Sequence, residues 1–257
     1  MKMTFKEYID NPAGKGNSVV TNKGMYKEMY TSKFDKIMVR ENGIIHYKVY
    51  KEGGNNDSYY IHIKIPSEVV SNFYYDVVIQ LWCDTVKQKG NANLNGHYVR
   101  FYSNDPSFVY TFAHTFYKNG MFIDILKTRM NSSAIKDVAK IKNPKSELMY
   151  VKSLYFAYLV MEKYNLFNRT KLDSTASKFS KRSFSSNIMK ADDKITLRQS
   201  EYEKQRKKKK VEKRRESTPK RTVTNPTKIT NNTKVSKVSK VGKVSKVSKR
   251  TKSVKKI

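Results

Sequence analysis

The sequence holds a single cysteine, Cys83, among 257 residues. That excludes an intramolecular disulfide framework and any zinc site built on a cysteine cluster. No run approaches the roughly 18 apolar residues of a membrane-crossing helix, so an integral membrane protein is not expected. Met1–Asn17 lacks the apolar stretch that a secretory signal needs, and synthesis and assembly in a cytosol are expected. Histidines number four, His46, His62, His97 and His114, without H-E-x-x-H or comparable spacing, so no metal and no cofactor is expected. Negative charge is also sparse: 22 Asp+Glu face 53 Lys+Arg, for a net charge of +31.

That charge is uneven. Residues 171–257 carry 29 Lys/Arg and 7 Asp/Glu, a net of +22, whereas residues 1–170 carry 24 and 15, a net of +9. Aromatic residues divide the other way, with 28 of 31 before Lys171 and only Phe179, Phe184 and Tyr202 after it. The sequence therefore reads as two materials: a globular body over 1–170 and a disordered polybasic tail over 171–257. Too little apolar surface remains in the second to offset the entropy of ordering it. Its parts are a Ser-rich linker over 171–200, a Lys/Arg cluster over 201–221 and a Lys-Val-Ser repeat over 233–257. Within the cluster, 201–216 has helix-favouring composition but no apolar face to dock. The repeat's period of three fits neither the helix nor the strand, which points to an extended polyelectrolyte.

Polyphosphate is the natural partner for such a segment. The candidate nucleic-acid-binding residues are Lys207, Lys208, Lys209, Lys210, Arg214 and Arg215 in the cluster, with Lys234, Lys237, Lys240, Lys243, Lys246, Lys249, Lys252 and Lys255 in the repeat. They are interchangeable charges that neutralise phosphates and read no base edge, so binding is expected to be sequence-blind and steeply salt-dependent. An anionic membrane fits less well, because the repeat offers no aromatic or leucine face for insertion.

The body reads as α+β. Gly24–Lys36 has helical spacing of Met25, Tyr26, Met29, Tyr30 and Phe34. In Ile44–Tyr50 and Tyr59–Ile65 apolar and polar residues alternate around the loop Gly53–Asp57, the pattern of a β-hairpin with one buried and one wet face. Tyr74–Trp82 fits a strand or a buried helix, and His97–Tyr102 fits a short strand. A helix is expected from Ser103 or Asp105 through Pro106 to Gly120, a short one over Ser132–Lys140 and a longer one over Ser146–Tyr164. The visible pairing is antiparallel, so the expected architecture is a hairpin-based antiparallel sheet with several helices, followed by the basic tail.

Catalytic chemistry is hard to find in these residues. His46 and His62 are cross-strand candidates on the wet face, without a third ligand in sight. Asp76 and Asp84 flank Trp82 and Cys83 without a neighbouring acid and read as structural. Gly14-Lys15-Gly16-Asn17-Ser18 lacks the spacer and ending of a phosphate loop. Cys83, beside Leu81 and Trp82, reads as an inert buried thiol. An enzyme is not expected. The abundant tyrosines suggest wet-and-dry subunit interfaces.

The stretch VRFYSNDP at Val99–Pro106, with SFVYTFAHTFYKNGMFI after it, resembles a block in uncharacterised virion structural proteins of large tailed bacteriophages. So do KSLYFAYLVMEKYNLFNRT at Lys152–Thr170, YIDNPAGKGNSVVTNKGMY near the start and FDKIMVRENGIIHYKVYK, including members from crAss-like phages. The similarity covers most of 8–170 and none of the tail. It implies a non-enzymatic part of the particle, in the head–tail region or the head interior. Such a protein, made in the host cytoplasm, would dock with other virion proteins in an oligomeric assembly while its tail contacts packaged DNA. A free nucleic-acid-binding or condensing protein, outside the particle, is the alternative.

Overall fold

The computed structural model describes residues 2–11, 23–53, 58–84, 90–140 and 143–216. In chain order these form helices α1 (Phe5–Asp10) and α2 (Lys23–Arg40), then strands β1 (Tyr47–Lys51), β2 (Tyr59–Pro66), β3 (Tyr74–Trp82) and β4 (Tyr98–Ser103). Helices α3 (Ala113–Lys118), α4 (Ser132–Lys136), α5 (Lys152–Lys163) and α6 (Arg169–Thr175) follow, then strand β5 (Ser177–Lys178) and helices α7 (Lys181–Ser186) and α8 (Ala191–Glu216). One sheet of order β4-β3-β2-β1-β5 runs through the unit. Its neighbours are antiparallel except β5, which lies parallel to β1. The architecture is α+β, as the alternating pattern predicts.

The hairpin register sets Val49 opposite Ile61 and Tyr47 opposite Ile63, so the branched residues of both arms share one face. Tyr74–Trp82 is a strand. It lies between β2 and β4 and is covered on both sides, which is why nearly every position in it is apolar. On the inner face Ile61, Ile63, Val77, Ile79 and Phe101 are buried beneath α1, α2 and α5. Phe101 meets the rings of Phe5 and Tyr8 at 5.0 and 5.1 Å, and Phe34 of α2 meets Phe156 of α5 at 5.7 Å.

Helix α1 is short but well started. Thr4 Oγ1 accepts from the Glu7 amide at 3.1 Å and Glu7 Oε2 accepts from the Thr4 amide at 2.8 Å, a reciprocal capping box. The helix expected after Pro106 is present, passing through a π-helical segment, Phe108–Phe112, into α3. Gly120 follows with φ +68°. The long helix begins at Lys152 rather than Ser146, because Ser146 has φ +54° and cannot continue a right-handed helix. The short helix ends at Lys136 rather than Lys140.

Seven of the tyrosines, Tyr8, Tyr59, Tyr60, Tyr75, Tyr102, Tyr150 and Tyr155, are buried. Tyr8 donates to the Met149 carbonyl at 2.8 Å and accepts from the Val151 amide at 3.2 Å. Tyr150 donates to the Ile9 carbonyl at 3.0 Å. Tyr164 spans Gly43 and Ile45 in the same way. Each ring fills core volume and its hydroxyl satisfies a backbone group that the loops leave open. Among the described residues the strongly exposed tyrosines are Tyr110, Tyr117 and Tyr202.

Two expectations fail together on the outer face of the sheet. That face is not wet along its length, and residues 171–200 are not a disordered linker. The compact unit runs to Arg215, well past residue 170. From α6 onward the chain crosses β1 and lies over the polar side of the hairpin. Phe179 stacks on Tyr60 at 4.3 Å and 9°, and Phe184 meets Tyr50 and Tyr60 at 5.0 and 5.2 Å. Leu172, Phe184, Ile188, Ala191 and Ile195 are buried. The apolar residues of 171–200 are few, but most of them are buried, with Met189 and Leu197 the exposed large ones, so their average density misleads. The expected repeat over 233–257 and the Gly14–Ser18 turn lie outside the described residues.

Candidate functional site

Helix α8 carries the part of the predicted nucleic-acid-binding set that falls within the described residues. Its sequence favours a helix for local reasons: Asp192 and Asp193 complement the positive end of the backbone dipole, and helix-forming Glu, Gln, Lys and Arg fill the rest. The first turns are held by burial of Ala191 and Ile195. Further along, Gln205 exchanges hydrogen bonds with the Ser71 backbone, at 3.3 Å to its amide and 3.0 Å from its carbonyl. Beyond that clamp, every side chain from Arg206 to Lys213 is exposed. Lys207, Lys208, Lys209 and Lys210 lie in this stretch, and Arg214 and Arg215 fall in the last turn of the helix. Lys234, Lys237, Lys240, Lys243, Lys246, Lys249, Lys252 and Lys255 lie outside the described residues.

Successive residues on an α-helix point about 100° apart, so four consecutive lysines surround the axis rather than line one side. Such a collar presents positive charge in every direction and offers no flat face to a groove. Like charges one turn apart weaken an isolated helix. Here the clamped start supplies the nucleus that such a sequence lacks alone.

A second group of cations was not singled out from sequence as a binding site. It lies where the C-terminal cover stops short of the sheet, leaving a cavity of about 610 Å³. His46 and Lys48 reach it from the start of β1, His62 and Lys64 from β2, Tyr74 from β3, and Asn187 and Lys194 from α7's end and α8's start. His46 and His62 are not directly opposed: His62 pairs with Lys48, and the His46 carbonyl accepts from the Lys64 amide at 2.9 Å. The alternation that marks His46, Lys48, His62 and Lys64 as one face was legible in sequence. Lys194 was not, because it arrives from a segment read as disordered.

Beneath the cavity lies Asp76, a fully buried carboxylate. Its Oδ1 takes His62 Nε2 at 2.8 Å and the Lys64 ammonium, and its Oδ2 accepts from Asn104 Nδ2 at 2.8 Å. Asn104 Oδ1 in turn accepts from the Asp76 amide at 2.8 Å. Burial alone would push the Asp76 carboxyl up. The hydrogen bonds and charges of His62 and Lys64 overcome that and hold it well below the ordinary carboxylate range. Both of its oxygens are thus committed to neighbouring side chains. Asp84 pairs with Lys2 at the surface.

The remaining candidates are placed more plainly. His114 Nδ1 lies 2.8 Å from the Ile135 carbonyl, and His97 is buried against the Arg169 side chain. Cys83 is half-buried after the end of β3 rather than fully enclosed. Arg100 lies over the Trp82 ring at 4.5 Å. Among the described residues no group of three or more His, Cys, Asp or Glu side chains is placed to hold a metal ion. Nor, among them, is any helix long and apolar enough to cross a membrane.

No protein-family model, no curated protein and no solved structure matches the chain.

Proposed function

We propose that the protein is a non-enzymatic, sequence-blind nucleic-acid-binding component of a virion, in the head–tail region or head interior. In this reading the α+β body anchors α8, and the exposed half of α8 with the basic residues after it engages phosphates of packaged DNA. One observation carries the binding: the collar from Arg206 to Lys213 is all exposed, holds six cations against Glu212, and starts from a clamped base. Fixing the root of a charged segment while leaving its cations in water suits counterion release, which needs proximity to phosphates and no particular register. The virion setting rests on the resemblance of Val99–Pro106 and Lys152–Thr170 to phage structural proteins. Particle partners would be met through the body.

The free binder is the second reading, and one observation favours it. Of the tyrosines expected to form docking faces, seven are buried in the core, and Tyr110, Tyr117 and Tyr202 are the strongly exposed ones described. Mass spectrometry of nuclease-treated, gradient-purified particles separates the two: a fixed copy number supports the virion component, and absence from particles alongside abundance in infected cells supports the free protein. DNA binding itself is tested by replacing Lys207–Lys210 with glutamine in the full chain. Anisotropy titrations with duplex DNA between about 50 and 200 mM salt are expected to show a salt slope lower by up to about 3 to 4, at roughly 0.9 for each phosphate no longer neutralised. An unchanged slope and affinity would remove α8 from the interface.

A further inference from the structure

The cavity on the outer face of the sheet has the chemistry of an anion site with one cation left over. Three lysines and two histidines line it, and none of the described residues lining it is acidic. Asp76 beneath it is already shared by His62, Lys64 and Asn104. Tyr74 donates its hydroxyl to Glu41 at 3.0 Å, so that carboxylate too is engaged, behind the wall.

Lys194 is the residue that needs explaining. It is only 8% exposed, and among the described residues it has no carboxylate within ion-pair distance. Its ammonium lies 4.6 Å from the centre of the Phe73 ring. A ring face compensates a buried cation only partly. Burial pushes the Lys194 ammonium below its ordinary range and nearby Lys64 acts in the same direction, while Asp76 opposes them. A buried lysine of this kind, lining a cavity beside two others, lacks a counter-ion that a ligand would bring.

We propose that this cavity binds a terminal phosphate carried on a nucleotide, either a free nucleoside 5′-monophosphate or the 5′-phosphorylated end of a nucleic-acid strand. Size and wall chemistry select the carrier. About 610 Å³ falls within the roughly 300–1,000 Å³ of small-molecule sites, more than an inorganic ion fills. Tyr50 and Tyr74 add aromatic surface beside the cations, the combination that holds a base next to its phosphate. Charge selects the terminus, since a phosphate monoester brings about −1.5 to −2 near neutral pH where an internal diester brings one negative charge. Lys48, Lys64 and Lys194 match the former.

The site is separate from the α8 collar, which responds to total phosphate and is indifferent to strand ends. The test uses full-length protein and a 3′-labelled single strand of about 12 nucleotides, with either a 5′-phosphate or a 5′-hydroxyl, in about 0.3 M KCl to screen diffuse binding. The phosphorylated strand is expected to bind about tenfold tighter, the scale of charge-assisted hydrogen bonds to one phosphate. The double variant H46Q/K48Q changes exposed side chains only, and K194M removes the ammonium while keeping an unbranched side chain in its place. Both are expected to bring discrimination below about twofold with the urea midpoint of H46Q/K48Q unchanged. Glutamine at Lys207–Lys210 is expected to weaken both strands and leave their ratio intact, so failure of the collar and failure of the cavity are told apart. Displacement of the phosphorylated strand by adenosine 5′-monophosphate but not by adenosine assigns the free nucleotide; persistent discrimination without displacement assigns the strand end. Equal affinity of the two strands for the wild-type protein, or discrimination retained in both variants, would overturn the proposal.

Discussion

Replacing Phe184 with alanine asks whether the chain beyond residue 170 holds the fold together. The ring is 2% exposed and is surrounded by Tyr50, Phe179 and Tyr60 with centroids at 5.0, 5.3 and 5.2 Å. Truncating a core phenylalanine costs about 3–5 kcal/mol in transfer and cavity terms. Because α7 is a short outer helix that can settle toward the sheet, the lower part of that range applies, about 3–4 kcal/mol. With a urea dependence of about 2 kcal/mol/M, the unfolding midpoint is expected to fall by about 1.5–2 M, read by circular dichroism. Lys181→Ala, an exposed change on the same helix, is the control and should stay within about 0.5 kcal/mol of wild type. Truncation sharpens the contrast. A chain ending at Thr170 loses Leu172, Phe184 and Ile188 and uncovers Tyr60 and Tyr102; at about 1.5–3 kcal/mol per buried side chain, that approaches the entire stability of about 5–15 kcal/mol. It is expected to be unfolded or molten, whereas a chain ending at Glu216 keeps the wild-type midpoint. A Phe184→Ala shift under about 0.25 M, or a cooperatively folded 1–170 fragment, would refute the reasoning.

Asp76→Asn is expected to cost about 2–3 kcal/mol, because His62 is left buried beside a neutral partner while Lys64 can turn to water. The same pair fixes a pH signature. The folded carboxyl lies below its ordinary value of about 4, so its contribution is complete above that pH and is lost as pH falls toward the folded value. The unfolded chain binds the proton first, and stability falls with acid; urea midpoints between about pH 5 and 2 should slope less in D76N than in wild type, and equal slopes would count against the assignment. Thr4→Ala removes half of the α1 capping box and is expected to destabilise by about 1 kcal/mol in the same assay, with no change if α1 is held by Phe5 and Tyr8 alone.

The inner half of the fold was legible because two independent signals agreed there. Ile45, Val49, Ile61 and Ile63 alternate as a strand face must, and Gly120 ends its helix where a left-handed residue is needed. Tyr74–Trp82 was ambiguous for the opposite reason: a strand covered on both faces has no period to read. Helix α1 was overlooked although Thr4-x-x-Glu7 announces it, because no long apolar pattern follows the cap. Of the candidate nucleic-acid set, Lys207–Lys210 are exposed on α8, as unpatterned charge should be. The cavity was half legible: its hairpin residues stand in register in the sequence, but Lys194 reaches them only through tertiary packing.

The misread linker and the misread wet face have one cause. Composition measures how much apolar surface a segment has, not whether that surface meets a complementary partner. Between Lys171 and Ser200 the aromatics are two, Phe179 and Phe184, and each lands on a tyrosine of the hairpin's polar side. Tyr50 and Tyr60 there are amphipathic, so the alternation rule scores them as tolerable in water while a covering ring can bury them. The cover is discontinuous because its apolar residues are sparse. Where Phe179 and Phe184 lie, the sheet is dry; where the cover passes from Asn187 to Lys194, His46 and Lys48 stay exposed and Lys64 partly so. A richly apolar segment would have sealed that face, and a purely polar one would have left it flat and solvated. The intermediate composition of 171–200 is what makes a half-open, positively charged cavity on this sheet.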